Sequence, residues 1–171
     1  APGDTWKFFR GRVAPAGGDF GWTASTYGDA SWESGPTGIG YADGDDATVL
    51  DDMQDGYTTV FARKTFQVAD PTKVTALGLF IDYDDAFVAY VNGVKVAEAN
   101  SPEGVQWNST SSASRNDSQA LQFVDFDISA AIPELIAGQN ILAIHGLNTG
   151  STSPDFLIVP ELRAQGATII N

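Results

Sequence analysis

Two adjacent aspartates, Asp84 and Asp85, follow Tyr83 at the point where one predicted strand ends and the next begins. Glycosidases use two carboxylates, about 5–5.5 Å apart in retaining enzymes and roughly 6.5–9.5 Å apart in inverting ones. Neighbouring side chains of an extended segment project in different directions, so this doublet is not itself such a pair. A catalytic pair would need carboxylates from separate loops, and the pattern favours a binding or structural role.

A second acidic motif, "DGDD", places Asp43, Asp45 and Asp46 around a flexible glycine. Hard carboxylate oxygens at this spacing suit Ca²⁺, which takes about 6–8 oxygen ligands, although the twelve-residue EF-hand pattern is not completed. The motif therefore predicts a structural calcium site formed by these three aspartates. The alternative is a solvated acidic turn, because Asp and Gly are ordinary turn formers.

Trp107 stands in a polar segment, between Gln106 and Asn108. Sugars stack flat apolar faces on aromatic rings and pair their hydroxyls with polar side chains, so an aromatic residue beside converging polar groups indicates a small-ligand site. The alternative for Trp107 is a loop anchor that folds back onto the sheet. The candidate ligand-binding residues are Trp107, Tyr83, Asp84, Asp85, Arg115 and Asn148.

Other chemistries find little support in the sequence. The single histidine, His145, lies in a strand-like run without a Ser/His/Asp arrangement around it, which favours a hydrogen-bonded structural role. The chain has no cysteine, and therefore no disulfide or thiol nucleophile. Its 22 acidic and 9 basic residues give a net charge of −13, which disfavours nucleic acid as a partner and leaves neutral ligands and cations.

Strand signals dominate the chain: short runs rich in β-branched and aromatic residues, separated by Gly, Asp, Asn and Ser. Only "SAAIPELIAG" (129–138) reads as a helix, limited to a turn or two by Pro133. The pattern predicts an all-β fold, an antiparallel jelly-roll β-sandwich with one short helix, as a single domain over residues 1–171. The predicted strands cover 6–11, 57–68, 74–83, 86–91, 94–99, 121–128, 140–147 and 155–162.

The order of the strands also predicts at which end of the sandwich each connecting loop lies. If successive strands run antiparallel, their connections alternate between the two ends of the sandwich. Asn92-Gly93, the strongest two-residue hairpin signal, then lies at one end with the turn at 70–73 and the segment 129–139. The long acidic and Asn-rich connections lie together at the other end, where a sandwich carries a site on its loops. They cover 40–56, 82–86, 100–119 and 148–155.

The stretches "DASWESGPTGIGYADGDD", "FARKTFQV", "FIDYDDAFVAYVNGVKVA", "NILAIHGLN" and "SPDFLIVPEL" resemble the galactose-binding-like jelly-roll modules of bacterial extracellular glycoside hydrolases. The similarity covers roughly Trp6 to Leu162. It implies a β-sandwich, often with one structural calcium, and a glycan site on the loops at one end or on an edge. Modules of this fold also include adhesins and structural spacers.

These observations together predict a non-catalytic carbohydrate-binding module that brings a linked catalytic domain to a polysaccharide or oligosaccharide, most simply a neutral one. The alternatives are an adhesion or spacer module without a sugar site and, third, a glycosidase or lyase domain. The expected location is secreted or at the cell surface, in a bacterium, and the opening "APGDTW" is typical of a trimmed chain or of a mature product. No apolar run approaches the about 18 residues of a membrane span, so no membrane insertion is expected.

Overall fold

The structure, a computed structural model, describes residues 2–42, 44–116, 119, 122–167 and 169–170. Within these residues twelve strands form two facing sheets, which confirms the predicted all-β sandwich. The strands are β1 (Thr5–Arg10), β2 (Glu33–Pro36), β3 (Ile39–Tyr41), β4 (Thr48–Val49), β5 (Thr59–Val68), β6 (Ala76–Asp84), β7 (Ala86–Val91), β8 (Val94–Ala99), β9 (Val124–Asp127), β10 (Gly138–Leu147), β11 (Phe156–Gln165) and β12 (Ile169–Ile170).

The larger sheet has the strand order β2-β1-β5-β10-β7-β8, with β12 also paired to β5, and the smaller sheet has the order β4-β3-β11-β6-β9. All of these neighbours are antiparallel except β3 and β4, which run parallel. The parallel pair departs from the predicted all-antiparallel arrangement. It also redirects the acidic loop between these two strands.

The predicted hairpin at Asn92-Gly93 joins β7 to β8, and Val91 pairs with Val94 across it. Both turn residues have positive φ, 49° and 94°, as a type I′ turn requires. The Asn92 side chain donates to the Glu134 carbonyl (2.8 Å) and accepts from the Ile141 amide (2.9 Å). These bonds fasten the hairpin to the neighbouring segments at its end of the sandwich.

Helical structure is scarce and differs in detail from the prediction. The segment predicted as a helix begins as a 3₁₀ turn, Ser129–Glu134, and a second 3₁₀ turn spans Pro71–Lys73. A four-residue helix, α1 (Gly18–Gly21), was not predicted. None of the helices among the described residues is long and apolar enough to cross a membrane.

The main core fills the space between the two sheets. On β7, Phe87, Ala89 and Val91 point into it, whereas Val88 and Tyr90 point to the outer face, as the alternation predicts. The largest buried apolar side chains of this core include Phe66, Phe156, Ile39, Leu50, Met53, Leu77, Leu79 and Ile81.

A second apolar cluster covers the outer face of the larger sheet. The segment 11–32, between β1 and β2, supplies the fully buried Trp22 and the nearly buried Trp32. Strands β5, β7 and β10 are consequently apolar on both faces. We call this group the outer cluster; it comprises Trp22, Trp32, Phe61, Ala86, Val88, Tyr90, Ile141, Ala143 and Leu147.

Candidate functional site

The loops at the end of the sandwich opposite Asn92-Gly93 meet at Asp85. Its carboxylate accepts hydrogen bonds from the backbone amides of Arg115 (2.9 Å) and Thr149 (2.7 Å), and its carbonyl accepts from the Asn100 side chain (3.0 Å). These partners belong to two separate loops. The connections 82–86, 100–119 and 148–155 therefore lie at the same end of the sandwich, as predicted.

Arg115 is the second organising residue of this loop end. Its guanidinium pairs with the Asp82 carboxylate (3.2 Å), donates to the carbonyls of Tyr83 and Gln122, and lies 4.1 Å from the centre of the Tyr83 ring. The side chains of Arg115 and Asp82 are only 7% and 8% exposed. Because both charges are largely removed from water, each depends on the other.

Asn148 closes the loop that follows β10. Its side-chain amide donates to the Tyr41 hydroxyl (3.1 Å) and to the Asp155 carbonyl (2.8 Å), while its oxygen accepts from the Thr149 amide (2.7 Å). The Tyr41 hydroxyl in turn donates to the Ser153 carbonyl (2.7 Å). Asn148 is buried, and these hydrogen bonds fix the path of the loop that follows β10.

Asp84 is buried beside two other carboxylates. Burial, and next the charges of Asp85 and Asp155, raise the pKa of Asp84 to about 8. The Asp84 Oδ1 is buried and has no hydrogen-bond partner among the described residues, so the cost of burying its charge is not offset there. At neutral pH Asp84 is therefore mainly in its neutral, protonated form.

We expect the Asp84→Asn variant to become increasingly stable relative to the wild type as pH rises. A raised folded-state pKa contributes stability that is complete below the unfolded value near 3.8 and is lost as pH rises through about 8. The asparagine keeps a donor but takes up no charge, so the free energies of unfolding measured by urea denaturation should diverge by up to about 1.4 kcal/mol per pH unit in this window. The exposed Glu103→Gln change is the control, and parallel pH profiles for Asp84→Asn and wild type would contradict the assignment.

The structure thus brings together five of the predicted ligand-binding residues, namely Tyr83, Asp84, Asp85, Arg115 and Asn148. The polar groups of Asp85, Arg115 and Asn148 are engaged mainly with the backbone and side chains of the surrounding loops, so these residues form the frame of the loop end. Trp107 is half-buried and packs against the outer cluster, and its carbonyl accepts from the Thr59 hydroxyl (2.6 Å). This placement matches the loop-anchor alternative, and a ligand role for Trp107 stays a prediction.

The acidic loop takes a different path from the predicted one. After Ala42 it turns back along β3, where the amides of Ala47 and Thr48 donate to the Gly38 carbonyl (3.0 and 2.9 Å). Asp45 is exposed and Asp46 half-buried on this return, and Asp43 lies outside the described residues. Among the described residues, no three acidic or histidine side chains are grouped as metal ligands. The described part of the loop does not by itself supply a calcium site, and calcium binding stays a prediction.

Beside this frame lies an open groove of about 420 Å³, here called the rim groove. The exposed side chains of Gln119 and Gln122 line it, and the half-buried Phe123 ring stacks on Phe80 with its centre 4.7 Å away. The sequence analysis placed Phe123 within a strand and did not single out either glutamine. The lining residues are Tyr83, Asn100, Ser114, Arg115, Gln119, Gln122, Phe123 and Val124.

His145 belongs to the outer cluster and not to this site. It is fully buried, its ring stacks on Phe61 (4.4 Å between centres), and the Trp22 ring meets it edge-on. Burial lowers the pKa of His145 to about 3, so the imidazole is neutral at physiological pH. Its Nε2 has no hydrogen-bond partner among the described residues. The predicted structural role agrees with this packing, but the predicted hydrogen bonding does not hold at Nε2.

No protein-family model matches the chain, and no curated protein matches it. Solved structures do share its fold. A β-glucuronidase from glycoside hydrolase family 2 matches 84% of this chain with 13% of its own, at 21% identity and a TM-score of 0.51. A β-glycosidase from Bacteroides vulgatus matches 96% with 20% of its own chain, at 16% identity and a TM-score of 0.50. A β-glucuronidase of Bifidobacterium dentium matches 85% with 19%, at 18% identity and a TM-score of 0.51.

The chain therefore spans 13–20% of the length of these structures. At such identities the likeness establishes the fold, which is that of a small β-sandwich domain within a glycosidase chain. The resemblance noted in the sequence is confirmed at this level.

Proposed function

We propose that this chain is a non-catalytic accessory domain of a bacterial, secreted glycoside hydrolase and that it binds a neutral glycan in the rim groove. The observation that carries the proposal is the groove itself: amide and hydroxyl side chains beside an aromatic ring, on a frame fixed by Asp85 and Arg115. Sugar-binding sites need a few oriented polar groups next to an apolar surface. The fold shared with domains of larger glycosidases supports the accessory role.

Charge supports the neutral class of ligand. With a net charge of −13, the chain repels uronic and sulfated polysaccharides at long range. Weak binding is sufficient for an accessory domain, because a linked catalytic domain gains from the raised local concentration of substrate. A calcium ion held by the acidic loop would stabilise the domain and would offset part of the repulsion.

A polysaccharide binding screen, run with added Ca²⁺ and with EDTA, tests this function. We expect retention on at least one neutral polysaccharide. Gln119→Ala should weaken that binding about five- to tenfold through one lost hydrogen bond, and Phe123→Ala should weaken it about tenfold through the lost ring. The matched control is Gln139→Ala, an exposed glutamine near the start of β10, at the opposite end of the sandwich.

Two outcomes would contradict the proposal. A folded wild-type domain that binds no polysaccharide on any arm of the screen is a spacer or adhesion module. Release of reducing ends by the isolated domain would make it an enzyme.

The calcium site has its own test, which is the melting temperature of the domain with and without EDTA. We expect EDTA to lower the melting temperature and added Ca²⁺ to restore it, and an unchanged melting curve would count against the site.

A further inference from the structure

A larger groove, of about 560 Å³, lies on the outer face of the larger sheet, next to helix α1. We call it the outer groove. Phe20 of this helix borders it with a ring that is 53% exposed, and the Tyr90 ring lies 6.3 Å from it. The lining residues are Phe20, Tyr90, Lys95, Glu98, Ser101, Pro102, Glu103, Gly104 and Val105.

The exposure of Phe20 is imposed by a firmly held backbone. The Trp22 indole donates to the Asp19 carbonyl (2.7 Å), and the Thr23 hydroxyl donates to the Phe20 carbonyl (2.7 Å). Trp22 itself is fully buried in the outer cluster. The Phe20 ring therefore remains in contact with water although its main chain is anchored on both sides, and its apolar face is available to a ligand.

Polar groups stand across the groove from this ring. The Glu98 carboxylate accepts from the Lys95 ammonium (2.7 Å) and from the Ser101 hydroxyl (2.6 Å). These two hydrogen bonds lower the pKa of Glu98, so it stays ionised. Acceptor and donors thus stand side by side with no net charge between Lys95 and Glu98, while Glu103 adds a negative charge that disfavours anions.

We propose that the outer groove is a second glycan-binding site, in which the apolar face of a neutral pyranose ring stacks on Phe20 and its hydroxyls pair with Glu98 and Lys95. The ligand class rests on the proposed function, but the residues are distinct from those of the rim groove. Adjacent sugar hydroxyls both donate and accept, which matches a carboxylate beside an ammonium group. The groove is within the size range of small-ligand sites, about 300–1,000 Å³.

The two grooves lie on either side of one loop. Asn100 lines the rim groove, and Ser101 to Val105 line the outer groove. Asn100 is held by its bond to Asp85 and by accepting from the Ser112 amide (2.7 Å). One polysaccharide chain, or two neighbouring chains, can then engage both grooves, and the second contact is made at high effective concentration.

Titration calorimetry with neutral gluco-, xylo-, manno- and galacto-oligosaccharides distinguishes the sites. We expect two sugars bound per wild-type chain and one per Phe20→Ala chain, with an unchanged melting temperature. Phe20→Trp should retain the second site, and Glu98→Gln should weaken it about tenfold. Val49→Ala, which truncates another exposed apolar side chain on the smaller sheet, is the matched control.

Each failure has its own pattern. If Gln119→Ala and Phe123→Ala remove all binding while Phe20→Ala changes neither stoichiometry nor affinity, the outer groove is not a site and the rim groove stands. If Phe20→Ala alone removes all binding, the outer groove stands and the rim groove is rejected. Wild-type protein that binds none of the oligosaccharides overturns both.

Discussion

Replacing Arg63 by alanine is expected to lower the free energy of unfolding by about 3–5 kcal/mol, the usual effect of removing one partner of a buried ion pair. Arg63 lies on β5 with a side chain only 1% exposed, and its guanidinium holds segment 11–32 against the sheet. Nε pairs with the Asp29 carboxylate (2.8 Å), Nη1 donates to the carbonyls of Trp22 and Ala24, and the Tyr27 ring lies 5.1 Å away. One side chain thus joins several backbone carbonyls and a carboxylate of this segment to the sheet.

Urea denaturation followed by near-ultraviolet circular dichroism measures the effect. A loss of this size lowers the melting temperature by roughly 6–20 °C in a chain of this length. Arg63→Lys should recover little, because an ammonium group cannot reproduce the planar array of donors. Asp29→Asn is the matched control, since it removes only the more exposed partner. A loss below about 1 kcal/mol for Arg63→Ala would mean that segment 11–32 is held by its apolar contacts alone.

The second large effect is expected at Arg115. Arg115→Ala leaves the Asp82 carboxylate buried without its cation, and burial already raises the pKa of Asp82 against the opposing influence of Arg115. We expect a loss of about 3–5 kcal/mol near neutral pH. The penalty should shrink toward pH 4, because in the variant Asp82 binds a proton in the folded state and loses stability only as pH rises above its unfolded value.

A double-mutant cycle isolates this pair. Asp82→Asn removes the charge that needs Arg115, so Arg115→Ala should cost less in the Asp82→Asn background than in the wild type, with a coupling of about 1–3 kcal/mol. Additive effects would place the role of Arg115 in its bonds to the Tyr83 and Gln122 carbonyls instead. Glycan binding at the rim groove should fall in Arg115→Ala whichever result is found, since the loop that carries Gln119 loses its anchor.

Local signals predicted eight of the twelve strands that the structure describes, and β2, β3, β4 and β12 were not predicted. Strands β7 and β8 have the predicted bounds, because the Asn92-Gly93 turn sets their register from within the chain. Strand parity also placed Asp85 and Asn148 at a common end of the sandwich, since it needs only the number of antiparallel crossings.

Features that depend on distant partners were beyond reach. The sequence around Asp45 contains no signal that its loop returns beside β3, because the hydrogen bonds that fix this path go to the carbonyl of Gly38. Burial of Asn148 follows from contact with Tyr41, 107 residues earlier. Phe20 was missed because the exposure of its ring depends on the outer cluster beneath it, which residues from four different parts of the chain assemble.

The two backbone hydrogen bonds that the Asp85 carboxylate accepts affect the affinity for a sugar. A single carboxylate receives the amides of Arg115 and Thr149, so the two loops that bear them are immobilised relative to each other before any sugar arrives. Binding ordinarily requires that loops and side chains give up conformational entropy. Here the fold has already met much of that requirement, and a few hydrogen bonds at the rim can therefore yield a measurable association constant.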